Sequence, residues 1–155
     1  MYFKHKILMV FVFIAVFLIT FFLKLDFNII ISECIAIVSF AMAIYSISIS
    51  CLIGSSLLKD LESIQDKYLK DKTQLGVIKS YFKHATVISV TTLIFSCINK
   101  LEIIDTLDNL FFKTKILNRL NFSQIFSSIC FAFFILNFIF IILIFTFIIN
   151  RQVDK

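Results

Sequence analysis

Few residues in the apolar segments of this sequence could do chemistry. Glu33 is the one acidic residue inside an apolar run, and Asn137 lies in the middle of the last run. Such side chains at bilayer depth are candidates for an ion or substrate path, because they are costly to bury without a partner. Glu33 also lies near the start of its run, where an interfacial carboxylate beside a helix N-terminus is the simpler interpretation. Asn137 must find a partner, most simply across a helix interface.

The histidines and cysteines form no metal-binding or nucleophilic pattern. His5 and His84 each stand next to a lysine at the end of an apolar run, where an interfacial role is commoner than metal ligation. The four cysteines lie inside apolar runs and make no Cys-x-x-Cys pair, so they read first as small buried hydrophobes. A disulfide between two of the three that fall toward one half of the membrane stays open. These three are Cys34, Cys97 and Cys130.

Sequence motifs for catalysis are absent. The chain has no Gly-rich phosphate loop, no His-Glu-x-x-His pattern and no Gly-x-Ser-x-Gly elbow. Paired aspartates, or a serine with a histidine, are also missing at bilayer depth, where an intramembrane protease would need them. We therefore expect a protein that is not an enzyme and that binds no cofactor and no metal.

Composition places the chain in a bilayer. Its 155 residues are 60% hydrophobic, with 21 Phe, no Pro and two Gly, and the mean hydropathy is +1.00. A soluble domain would need a polar surface that this sequence lacks. The net charge of +5 does not indicate nucleic-acid binding, because the basic residues flank apolar runs instead of forming one stripe.

The apolar runs predict an all-α fold, an integral membrane four-helix antiparallel bundle with a cytoplasmic helical hairpin extension. Asn28 is the expected N-cap of the second helix. In the third run the uncharged part, Ala85 to Asn99, spans only about 22 Å, so its helix must start earlier, near Val77. The predicted elements are membrane helices 7–23, 28–58, 77–99 and 122–150, the cytoplasmic hairpin 59–76 and an outer amphipathic connection 100–121.

The distribution of Lys and Arg predicts the orientation. With four spans, the two termini and the connection 59–83 share one side, which holds ten of the 15 basic residues, against five on the other. The positive-inside rule then places both termini in the cytoplasm of a bacterial cell, with the chain as a multi-pass protein of the inner membrane.

A stripe of small residues follows one side of the second predicted helix, at steps of three or four residues. Small side chains let helix backbones approach closely in lipid, so this second-helix stripe predicts a contact face, either within one subunit or between subunits around a Ser/Thr-lined path. Packing within one subunit is the simpler of the two. The members are Ser32, Ala36, Ser39, Ala43, Ser46, Ser50 and Gly54.

The third predicted helix has a shorter stripe, which is the natural partner for the first. Its members, Ala85, Ser89, Thr92 and Ser96, follow steps of four, three and four residues. In the hairpin 59–76, apolar residues at helical spacing form a candidate surface for a cytoplasmic partner, with a solvated turn as the alternative. They are Leu61, Ile64 and Tyr68.

The layout resembles the small four-span membrane proteins of bacterial antiphage defence systems, including the membrane subunit of Kiwa-type systems. The shared features are a Ser/Ala-rich second helix ending in Gly54-Ser55-Ser56-Leu57-Leu58-Lys59, a charged stretch through Lys72, and Val77 to His84 entering the third helix. The resemblance implies a protein that senses or perturbs the inner membrane, often through a cytoplasmic partner.

Together these features predict a non-enzymatic homo-oligomer in the lipid bilayer, which recruits a cytoplasmic protein or permeabilises the membrane in phage defence and does not contact nucleic acid directly. Two other classes remain open. One is an immunity or accessory protein that neutralises a membrane-active toxin. The other is a small channel or transporter with Glu33 and Asn137 on its path.

Overall fold

Apolar runs without proline form continuous helices, because nothing interrupts their main-chain hydrogen bonds. In the computed structural model, which describes residues 1–53, 57–67, 69–101 and 122–153, four helices are long and apolar enough to cross a membrane. The fold is all-α and fits a multi-pass membrane protein. The helices are α1 (Phe3–Phe22), α2 (Ile31–Ile53), the short α3 (Leu57–Ser63), α4 (Gln74–Lys100) and α5 (Phe122–Val153).

Helix α4 extends beyond the uncharged run Ala85 to Asn99 at its N-terminal end. It begins at Gln74, where the Thr73 side chain accepts a hydrogen bond from the Gly76 amide at 3.2 Å. This early start carries Lys79 and Lys83 inside the helix, with both side chains exposed. Helix α2 is described from Ile31 to Ile53, and residues 54–56 of the predicted helix 28–58 lie outside the described residues. Of the predicted connection 100–121, the part from residue 102 onward lies outside the described residues.

The link between α1 and α2 is a tight reversal. Lys24 adopts a left-handed backbone conformation with φ of 52°, and a single-turn 3₁₀ helix, Phe27–Ile30, precedes α2. The Asp26 carboxylate accepts a hydrogen bond from the Asn28 amide at 3.0 Å. The predicted N-cap role of Asn28 is therefore wrong, since Asp26 caps this turn. The Asn28 side chain instead accepts from the Asn99 side chain at 3.0 Å.

Helix α5 lies at the centre of the bundle. It packs extensively against α1 and α4, whereas α2 packs mainly against α4. Ring contacts mark both kinds of interface: Phe13 of α1 meets Phe133 of α5 with centroids 5.2 Å apart, and Tyr45 of α2 meets Phe82 of α4 at 6.2 Å. The first helix therefore pairs with the last, although the second follows it closely in sequence.

The core consists of two apolar clusters, one toward each end of the bundle. We call the end that carries residues 57–73 the hairpin end, and the end that carries residues 23–30 the link end. The hairpin-end cluster contains Met9, Ala41, Tyr45, Leu61, Tyr81, Phe82, Ala85, Leu136, Phe140 and Ile144, among others. The link-end cluster contains Phe27, Ile31, Cys34, Val38, Phe126, Cys130 and Phe134.

The segment between α3 and α4 is folded against the bundle and is not a free helical hairpin. Helix α3 ends at Ser63, and the chain then reverses through an antiparallel bridge between Gln65 and Thr73. Asp66 is only 1% exposed. Its carboxylate accepts from the Tyr2 hydroxyl at 2.6 Å and from the Leu69 amide at 2.9 Å. The start of the chain is thereby fixed to this segment.

Replacing Asp66 by Ala is expected to detach the segment from the bundle, because the half-buried Tyr2 hydroxyl and Leu69 amide would both lose the Asp66 carboxylate as acceptor. A fully buried donor left unsatisfied costs about 1–3 kcal/mol, and a half-buried one costs less because water can replace part of the bond. Limited proteolysis in detergent should then cut faster after the exposed Lys67 and Lys70. Asp71→Ala is the matched control, since Asp71 is an exposed carboxylate in the same segment. Equal cutting of both variants would contradict this prediction.

Candidate functional site

The most developed polar site lies in the core, between the two apolar clusters. Its centre is Asn137 of α5, which is 2% exposed. The Asn137 amide nitrogen donates to the Thr92 hydroxyl at 2.8 Å and to the Phe133 carbonyl at 2.9 Å. The Ser89 hydroxyl donates to the Asn137 side-chain oxygen at 2.6 Å. Both amide hydrogens and the amide oxygen are therefore used.

The same site reaches a third helix. The Tyr45 hydroxyl of α2 lies 3.5 Å from the main-chain oxygen of Asn137, and the Thr92 hydroxyl donates to the Ile88 carbonyl of its own helix at 2.7 Å. Within the described part of the chain, no buried side-chain nitrogen or oxygen lacks a hydrogen-bond partner. This polar layer, formed by Tyr45, Ser89, Thr92 and Asn137, joins three helices, and each of its side-chain donors is used within the chain.

The small residues of α4 face inward, as a packing stripe should. Ala85, Ser89, Thr92 and Ser96 are all fully buried, and two of them belong to the polar layer. Ser96 lies deeper toward the link end, with its hydroxyl 3.7 Å from the Cys34 sulfur of α2. This stripe of α4 therefore lies inside the bundle, as a helix-packing face should. Helix α4 packs more against α5 than against α2.

The second-helix stripe faces the other way. Its six described members, from Ser32 to Ser50, are exposed, and Gly54 lies outside the described residues. The expected pairing of the two stripes inside one subunit is therefore wrong. The reason is that α2 packs through its opposite side, whose side chains fill the space beside α4 and α5. That packed side consists of Ile31, Cys34, Val38, Ala41 and Tyr45.

The other chemically active candidates are dispersed. Glu33 lies in the first turn of α2 and is exposed, far from the polar layer at Asn137. His84 is exposed and bonds the Ser80 carbonyl of its own helix. All four cysteines are free, with Cys34 and Cys130 buried. The described residues contain no group of three His, Cys, Asp or Glu side chains that could hold a metal ion.

A second polar cluster closes the hairpin end. The His5 ring nitrogen is hydrogen-bonded to the Tyr81 hydroxyl, which also accepts from the Tyr2 amide at 3.4 Å. The α-amino group of Met1 donates to the Ser80 hydroxyl at 3.0 Å. Burial is the largest cause that lowers the pKa of this amino group, with smaller contributions from nearby lysines. The cluster ties α1 to α4, two parallel helices.

The predicted partner surface on the hairpin is only partly available. Leu61 is 3% exposed and belongs to the core, so it cannot contact a partner in this conformation. Ile64 is 46% exposed, and Tyr68 lies outside the described residues. The expected contribution of Leu61 is therefore wrong, because its side chain completes the hairpin-end cluster.

Sequence reasoning missed the polar contacts that hold the start of the chain to the hairpin end. Tyr2, Asp66 and Tyr81 stand in unrelated segments, and no spacing relates one to another. Asp66 stands among exposed charges of the same connection, and its immediate neighbours Gln65 and Lys67 are polar and exposed, so the sequence gives no sign that it is buried. Only the tertiary fold reveals that it is buried.

Comparison of the chain with protein-family models, with curated proteins and with solved structures finds no match. The functional argument therefore depends on the geometry described above.

Removing the Asn137 side chain is expected to destabilise the bundle, since Ser89 and Thr92 would both lose a partner in an apolar surrounding. Asn137→Ala should lower the free energy of unfolding by about 1–2 kcal/mol, the upper range for polar contacts between membrane helices. Denaturation in mixed micelles, followed by circular dichroism, measures this change. Ser128→Ala is the control, because the buried Ser128 hydroxyl donates to the Gln124 carbonyl of its own helix and, among the described residues, bonds no other helix. A loss as small as that of the control would contradict an interhelical role.

Proposed function

We propose that this chain is a non-enzymatic membrane protein whose subunits associate through the second-helix stripe and which acts on the bilayer that holds it. The observation that carries the proposal is the exposure of this stripe along α2, from Ser32 to Ser50. A membrane-spanning surface that faces only lipid has no need for small side chains, because lipid chains adapt to any shape. Small side chains matter where another helix backbone approaches.

The chemistry of the stripe supports close contact between helices. The Ser50 hydroxyl donates to the Ser46 carbonyl of its own helix at 3.0 Å, so it is satisfied in an isolated subunit. The same oxygen still has an acceptor site that a neighbouring helix could use. The stripe therefore tolerates lipid and also offers a surface of hydroxyls and small side chains to a second copy.

Because the core of one subunit is closed, a path for ions would lie between subunits and not through the middle of one subunit. Every side-chain hydrogen-bond donor of the polar layer around Asn137 is bonded to a group of the same chain. A polar path across the bilayer would then run along the exposed serines of α2, where subunits meet. On this proposal, assembly and permeabilisation of the membrane depend on the same face, as an effector of phage defence would require.

Ser50→Leu tests the proposal. The larger side chain should hold two α2 helices apart and weaken association by about 1–2 kcal/mol, while the exposed position leaves the fold intact. Cross-linking in bacterial membranes should show fewer oligomers, and the loss of membrane potential caused by controlled expression of the wild type should diminish with it.

Cys51→Leu is the matched control for that experiment. Cys51 is the next residue of α2, is exposed and is also small, but it stands about 100° around the helix from Ser50. This variant should assemble and depolarise like the wild type. Full assembly of Ser50→Leu, or no depolarisation by the wild type, would overturn the proposal.

We also propose that the hairpin end lies in the bacterial cytoplasm, as the ten basic residues on that side support. In a variant without native cysteines, a single cysteine at Asp26 should react with an impermeant maleimide in intact cells. A single cysteine at Asp71 should react only after lysis. Both positions are exposed and lie at opposite ends of the bundle. The reverse pattern of labelling would invert the orientation.

One observation favours a second function, the recruitment of a cytoplasmic partner. Ile64 presents an apolar side chain at the hairpin end, 46% exposed, directly after α3.

Two other functions would fit the same bundle. Protection of cells from a membrane-active toxin on co-expression would support an immunity protein. A change in ion flux on Glu33→Gln would support a small channel. Neither has an arrangement of described residues in its favour.

A further inference from the structure

A groove on the lipid-facing surface of the bundle combines a basic end with an apolar floor. It lies between α2 and α4 and has a volume of about 350 Å³. Its basic residues are Lys79 and Lys83, one turn apart on α4 and both exposed. Ile49 of α2 and Phe82 of α4 form the apolar floor, and Thr86 and Val87 continue it away from the lysines.

The order of these residues along α4 matches the order of parts in a phospholipid. Lys79 lies near the hairpin end of the helix, where the bilayer meets water. Val87 lies about 12 Å farther along the helix axis, toward the bilayer centre. An ammonium group near the headgroup region, followed by an apolar surface between two helices, can hold a phosphate and one acyl chain together. Basic grooves between membrane helices bind anionic headgroups in this way.

No carboxylate of the described residues neutralises the charges of the two lysines. Among the residues that the structure describes, neither Lys79 nor Lys83 forms an ion pair with a carboxylate. Two like charges one turn apart on a helix also repel each other. An anion between them removes that repulsion, and the bilayer is the source of anions that reaches this groove from the side.

We propose that the groove between α2 and α4 is a binding site for an anionic phospholipid, with its phosphate between Lys79 and Lys83 and one acyl chain along Ile49, Phe82 and Val87. The site does not depend on association through the second-helix stripe, so each proposal can fail without the other. Binding at this site would make the hairpin end prefer anionic lipid more strongly than the general attraction of a basic surface does.

The absence of Trp from the natural chain makes a direct test possible. Val87→Trp places a single fluorophore in the groove of the full-length protein, reconstituted in phosphatidylcholine vesicles. Brominated phosphatidylglycerol or brominated phosphatidylcholine, each at the same low mole fraction, then quenches it according to local occupancy. We expect phosphatidylglycerol to bind about five-fold better than phosphatidylcholine, the effect of one lysine near an anionic headgroup.

Val10→Trp is the matched control for a general attraction of anionic lipid to basic residues. Val10 is 60% exposed and Val87 is 56% exposed. Each lies one turn beyond a lysine, Lys6 and Lys83 respectively, on helices that run in the same direction. Val10, however, lies in a groove formed by α1 alone. A site between two helices predicts a preference for phosphatidylglycerol at Val87 that clearly exceeds the preference at Val10.

Substitution of the lysines completes the test. Adding Lys79→Gln and Lys83→Gln to the Val87→Trp protein should abolish the preference for phosphatidylglycerol, and adding Lys79→Arg and Lys83→Arg should retain it. Equal quenching by the two lipids at Val87 would overturn the proposal. So would an equal preference at Val10, which indicates general attraction only, or a preference that survives both glutamine substitutions.

Discussion

A polar side chain in the middle of a bilayer must find its hydrogen-bond partners inside the protein, because the hydrocarbon offers none. In this bundle the requirement falls on Asn137. Its amide is satisfied by Ser89 and Thr92 of the neighbouring helix. Because these bonds need both helices in one register, they fix how α4 lies against α5, and the apolar clusters on either side pack around that register.

Much of the fold followed from the sequence. Uncharged runs without proline predicted four long helices, and the described residues form four such helices. Helix ends were harder, since polar residues at an interface can lie inside a helix or in a loop. Lys4 and Lys6 belong to α1, and Lys79 belongs to α4. The folding of the hairpin against the bundle had no local signal, because it depends on Asp66 meeting Tyr2 across distant segments.

The candidate site was predictable in part. An asparagine at bilayer depth predicts a partner across a helix interface, and Asn137 has two. The outward direction of the second-helix stripe was not predictable, because both sides of α2 are apolar and contain small residues. Ala41 lies on the packed side and Ala43 on the exposed side. Hydrophobic periodicity distinguishes a lipid-facing side of a helix from a water-facing side, but it does not distinguish a lipid-facing side from a side that packs against another helix.

The pairing of α1 with α5 has a consequence for biosynthesis. Helix α1 is made before α2, α4 and α5, yet it packs mainly against α5, which is made after the other three. A ribosome must therefore synthesise all four of these helices before α1 acquires this neighbour, and Phe13 stays among lipids until Phe133 arrives. During that interval α2 and α4 can pair, but the bundle cannot close. The order of insertion and the order of packing are thus different in this protein.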